Sequence, residues 1–100
     1  MRKGDYAGAE KQYQKASSAD PKNASYALAY GKAAWKAKDL DTASTGLRKA
    51  SQLGATEANK YLGYVLSELG DDSGASAAWT SYLKTTKDPE VEAKLKAIGG

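Results

Sequence analysis

The stretch Ala43-Ser44-Thr45-Gly46-Leu47-Arg48-Lys49-Ala50 has a counterpart on each side, Ala9 to Ala16 upstream and Ala75 to Tyr82 downstream. Ala9, Ala43 and Ala75 share the first slot, at spacings of 34 and 32 residues. Four residues later stands a large side chain (Tyr13, Leu47, Trp79), and three further on Ala16, Ala50 or Tyr82. A fixed period of this size predicts stacked helical hairpins, in which each unit covers the apolar face of its neighbour.

Composition agrees. Nineteen alanines against two valines and one isoleucine favour helix over strand, because alanine loses no side-chain entropy in a helix. One hundred residues suffice for a single small domain. Neither histidine nor cysteine occurs, which removes the usual zinc ligands, any disulfide and the commonest general base. The net charge of +3 is spread among interspersed acids, with no basic tail for nucleic acid. No apolar run reaches the roughly 20 residues of a membrane span, and no apolar signal region follows Met1-Arg2-Lys3. The chain therefore reads as soluble and without an address.

Punctuation places six helices. Asp5 caps one over about 6–18, which Asp20-Pro21 closes. Asn23 caps a second over 24–37, and Asp39 precedes a third over 40–53, with Gly54 suited to a left-handed end. Thr56 precedes a fourth over 57–69, ending at Gly70, and Asp71-Asp72 a fifth over 73–86. Asp88 and Pro89 open a sixth over 89–98. Linkers of a few residues make consecutive helices antiparallel neighbours. Tyr6, Ala9, Tyr13 and Ala16 form the apolar stripe of the first helix, and Leu62, Val65, Leu66 and Leu69 that of the fourth. Gly31 and Gly63, 32 residues apart in otherwise good helices, signal close backbone approach.

This pattern resembles the tetratricopeptide repeat family. Gly4-Asp5-Tyr6, Ala9, Tyr13, Ala16 and Asp20-Pro21 are similar to the second half of that repeat; Tyr30-Gly31, Asp39-Leu40, Ala43, Leu47 and Ala50 to a complete one; and Leu62-Gly63, Gly70-Asp71, Ala75, Trp79 and Tyr82 to another. The implied architecture is all-α, a right-handed superhelical stack of about two and a half repeats. It forms one domain over 1–100, divided into a half repeat 4–21, repeats 22–55 and 56–87, and a C-terminal capping helix 89–98. Departures are Lys38 at the turn glycine, Ala55 near the closing proline, Asn59 in an apolar slot and a second unit two residues short.

Catalytic constellations are missing. Asp39 with Asp41 and Asp71 with Asp72 stand before helices, where capping and the helix dipole account for them. The serines have no histidine to activate them, and the acids of Gly70-Asp71-Asp72-Ser73-Gly74 would repel a phosphate. The resemblance instead implies a concave groove for a peptide, lined by first helices: Ser25, Leu28, Lys32, Trp35 and Lys36 on the second, and Lys60, Tyr61, Tyr64 and Ser67 on the fourth. Lysines beside wide aromatic surfaces suit an acidic peptide with an apolar anchor. The expected function is a non-enzymatic protein-protein interaction module, with no cofactor, no metal and no small-molecule substrate. The alternative is binding of nucleic acid or an anionic surface through the same lysines and aromatics. The carboxylate clamp of chaperone-binding members is not reproduced, because Lys60 is followed one turn later by Tyr64. The half repeat leaves Tyr6, Ala9 and Tyr13 without a covering helix, which predicts further repeats in a longer parent protein, an edge dimer through these residues, or a local rearrangement.

Overall fold

The computed structural model describes residues 5–98. Within them the chain forms α1 (Tyr6–Ala19), α2 (Ala24–Lys36), α3 (Leu40–Gln52), α4 (Ala58–Glu68), α5 (Asp72–Leu83) and α6 (Pro89–Ala97), with no strand among the described residues. The hairpins are α2 with α3 and α4 with α5; α1 packs on α2, α3 on α4, and α5 on α6. Sequential stacking of this kind gives an elongated body of 38 × 25 × 20 Å.

Short polar side chains set most of the helix starts, by accepting from backbone N–H groups that have no partner within the first turn. Asp5 accepts from Gly8 at 2.9 Å, Asn23 from Tyr26 at 3.1 Å, Asp71 from Gly74 at 2.8 Å and Asp88 from Val91 at 3.3 Å. Two starts differ from the sequence reading. Thr56 does not cap α4; the helix begins at Ala58, after backbone bonds from Ala58 to Ala55 and from Asn59 to Thr56 wind the chain in. Asp39 occupies the cap position of α3 without making a cap bond. Its carboxylate lies against Glu10 of α1, whose carboxyl helps to hold it below the usual range; burial and Asp39 raise Glu10 in turn. α5 also ends at Leu83 instead of Thr86, because the Tyr82 carbonyl takes the N–H groups of both Thr85 and Thr86.

The core runs along the stack. Ala27, Ala34, Ala43, Leu47, Ala50, Ala58, Val65, Ala75 and Val91 are fully buried, and Trp79 nearly so. Alanine at most of these places brings helix axes close, which is the purpose of the recurring small slots. Gly31 carries this to its limit. A Cβ there would lie 2.7 Å from Leu47 Cγ and 3.0 Å from the Leu47 backbone nitrogen, while one on Gly46 would come within 3.2 Å of the Gly31 Cα. Backbone contact between α2 and α3 therefore occurs where Gly31 predicted it. At Gly63 the close partner is a side chain: the Trp79 indole lies across the glycine in the space a Cβ would fill, and its Nε1 donates to the Lys60 carbonyl at 3.0 Å.

One further expectation needs correction. Leu69 lies outside the core, 44% exposed, because α4 ends at Glu68 and Leu69 is already the cap residue that turns toward Gly70. Asn59 is polar in an apolar slot because its Oδ1 accepts from the Ser51 hydroxyl at 2.9 Å, so the half-buried pair is satisfied. Gly54 takes the left-handed conformation expected of it (φ 101°), and Lys38 does so too (φ 67°) despite its side chain.

Candidate functional site

The predicted groove residues divide between two concavities. Trp35, Lys60, Tyr61, Tyr64 and Ser67 line the first, an open cleft of about 640 Å³ between α2, α4 and α6. Leu28, Lys32 and Lys36, with Ser25, line the second, of about 370 Å³ between α1 and α2.

The first cleft has an aromatic wall. Trp35 stacks on Tyr64 with centroids 5.6 Å apart and planes 12° from parallel. Tyr61 tilts against Trp35 at 5.6 Å and meets Tyr64 edge-on at 6.2 Å, and Tyr64 in turn meets Trp79 edge-on at 5.7 Å. Such offset and edge contacts are the arrangements that ring quadrupoles favour. Trp35 does pack against the following hairpin, yet it, Tyr61 and Tyr64 stay only partly buried and keep a surface toward the cleft. Carboxylates fix two of the polar ends: Trp35 Nε1 donates to Glu68 at 2.9 Å, and the Tyr64 hydroxyl donates to Glu90 at 2.7 Å. Burial first, and Glu90 second, push the ionisation of Tyr64 far above that of a free phenol, so it remains a donor at any physiological pH.

The lysines are mostly committed to partners. Lys60 pairs with Asp88 at 3.0 Å, and the same Asp88 oxygen accepts from the Tyr82 hydroxyl at 3.2 Å. The hydrogen bond with Asp88 raises Lys60, and Lys60 in turn holds Asp88 below the usual carboxylate range. This partly buried network ties α4 and α5 to the cap of α6. Lys32 reaches Glu57 at 3.5 Å and lies 4.7 Å from the Tyr61 ring centroid. Lys36 lies 5.7 Å from the Tyr6 ring centroid and, among the described residues, has no ion-pair partner.

Glu68, Glu90 and Lys94, which sequence reasoning did not place in the cleft, complete its rim. Lys94 sits 5.6 Å over the Tyr64 ring. A signal for Glu68 existed, since it stands 32 residues after Lys36; Glu90 and Lys94 lie on α6, the helix expected to cap the end of the stack. Cleft charge is thus balanced, with two lysines against two glutamates. Among the described residues no His, Cys, Asp or Glu cluster could hold a metal ion, and no helix is long and apolar enough to cross a membrane.

No family model matches the chain, and no curated protein matches it. Among solved structures it is similar to the N-terminal domain of stress-induced protein-1 (STI-1) from C. elegans. The superposition has a TM-score of 0.80 over 95% of this chain and 89% of that one, at 21% sequence identity. The fold is a tetratricopeptide-like stack of antiparallel helix hairpins.

Proposed function

We propose that this chain is a non-enzymatic protein-protein interaction module that holds a peptide in the cleft between α2, α4 and α6. The observation that carries this reading is the wall of Trp35, Tyr61 and Tyr64, three partly buried aromatic side chains in mutual contact, of which Trp35 is fixed by Glu68 and Tyr64 by Glu90. Rigid aromatic surface beside a polar rim is where interface binding energy concentrates. The tetratricopeptide-like fold supports the same assignment by analogy. An apolar or aromatic anchor residue is the peptide feature that this wall suits. An overall acidic peptide is less favoured here than the lysine count implied, because Glu68 and Glu90 share the rim and Lys60 is paired with Asp88. The same two glutamates make the cleft a poorer fit for nucleic acid, whose phosphates they would repel.

The test is a peptide selected on the immobilised chain from a random display library, with affinity read by fluorescence anisotropy. Combining Trp35→Ala with Tyr64→Ala is expected to weaken binding by about 1 kcal/mol or more with helix content retained. Undiminished affinity in a folded double variant would remove the cleft from the account. A salt titration separates the alternative, since a nucleic-acid ligand would lose affinity steeply between low and moderate salt.

A further inference from the structure

The second concavity has an occupied counterpart inside the same molecule. Moved one repeat along the chain, its α1 residues Tyr6, Ala9 and Tyr13 become Leu40, Ala43 and Leu47, and its α2 residues Ser25 and Lys36 become Glu57 and Glu68. That second set is the surface against which α2 lies. Gly31 of α2 rests on Leu47, Lys32 pairs with Glu57 at 3.5 Å, and Trp35 Nε1 donates to Glu68 at 2.9 Å. Ala43 and Leu47 are completely buried as a result. One repeat earlier, no helix among the described residues takes the place of α2. Tyr6 remains 41% exposed and Tyr13 half-buried, around a trough of about 370 Å³.

The complementary chemistry has changed sign. Where Glu68 receives the donor of α2, the earlier site presents Lys36; where Glu57 receives Lys32, it presents Ser25. No carboxylate lines the trough, and Lys36 has no ion-pair partner among the described residues. We propose that the trough docks an amphipathic helix of a partner protein, lying as α2 lies on the next unit, with glycine or alanine over Tyr13 and an aspartate or glutamate four residues later reaching Lys36. The spacing of four is that from Gly31, which contacts Leu47, to Trp35, which contacts Glu68. This chain's own equivalent helices do not meet the requirement, because Trp35 follows Gly31 at that spacing and Ser67 follows Gly63. A second copy is therefore a poorer guest than an acidic helix.

The probe is a helix-stapled synthetic peptide with the sequence of residues 24–37 carrying Trp35→Glu, compared with the unaltered sequence by fluorescence anisotropy against the full chain. The altered peptide is expected to bind about fivefold more tightly, the scale of one surface ion pair. Lys36→Glu in the chain should reverse that preference, and Ala29→Trp, which fills the trough from α2, should abolish binding of both peptides. Absence of saturable binding, a preference that survives Lys36→Glu in a folded chain, or binding that survives Ala29→Trp would each overturn the proposal. So would sedimentation of the free chain as a dimer that Lys36→Glu dissociates, which would assign the trough to a second copy. These outcomes are read at α1 and α2 and leave the peptide cleft between α2, α4 and α6 to its own test.

Discussion

Leu47 on α3 and Tyr13 on α1 hold the same place in successive repeats, yet Leu47 is sealed and Tyr13 is only half-covered. Both helices pack against the helix that follows them; among the described residues, only α3 of the two also has a partner before it, α2, whose Gly31 lies directly on Leu47. Burial in a stack is thus set by neighbours on both sides, and identical pattern in sequence does not give identical environment. The two ends of the molecule differ for the same reason. At α6, a charged network through Lys60, Asp88 and Tyr82 fastens the last helix, whereas α1 presents an open trough.

The largest effect that can break this comparison is truncation of the paired residues. Leu47→Ala should cost about 2–5 kcal/mol, the range for a large-to-small change at a fully buried aliphatic site, while Tyr13→Ala should cost about 1 kcal/mol or less because one face already meets water. Urea unfolding of both variants reads the difference; equal losses would mean that α1 is as well covered as α3.

The pairing at the α6 end can be sharpened by pH. Asp88 is held below the usual carboxylate range by Lys60, so its contribution is fully present above about pH 4 and fades as pH falls through its lowered value. Lys60 is raised, so its share persists up to its ordinary range and is lost only as pH climbs through its higher folded value. Wild type should therefore melt above Asp88→Asn at pH 6, and the two melting temperatures should converge toward pH 2. A gap that stays constant on acidification would contradict the ion pair.

The smallest effect concerns the two hairpin turns. Gly70 and Lys38 hold equivalent turn positions, and both adopt positive φ, 84° and 67°. Lysine meets a steric penalty in that region that glycine avoids, so Lys38→Gly should raise stability by up to about 1 kcal/mol, measured by the same urea unfolding. A loss instead would show that the lysine side chain contributes more than its backbone costs.

Much of the stack was legible because its determinants are local or periodic. Asp5, Asn23 and Asp88 cap at three-residue range, the 34- and 32-residue spacings mark equivalent helices, and Gly31 marks a helix crossing. What escaped reading depends on the angle between repeats. The Trp35–Glu68 bond joins residues 33 apart and the Tyr64–Glu90 bond residues 26 apart, and nothing in either residue's neighbourhood selects its partner. Leu28 and Lys36 line the other trough instead of the aromatic cleft in which the sequence had grouped them, and Lys32 lines that trough with its amine 4.7 Å from the Tyr61 ring centroid. Lys38 and Asn59 were visible as departures, but whether backbone strain or a hydrogen bond to Ser51 accommodated them required three dimensions. Leu69 was read as core from its spacing and is exposed because the helix stops one residue short of it.

Native-state hydrogen exchange reads the central contrast most directly, since it reports the opening free energy of each helix in one intact molecule. Amides in the middle of α3 and α4, covered on both sides, should exchange only through global unfolding. Those of α1 should exchange through a smaller opening that leaves the remaining helices protected. Equal protection of α1 and α3 at the global level would contradict a stack whose first trough stands open.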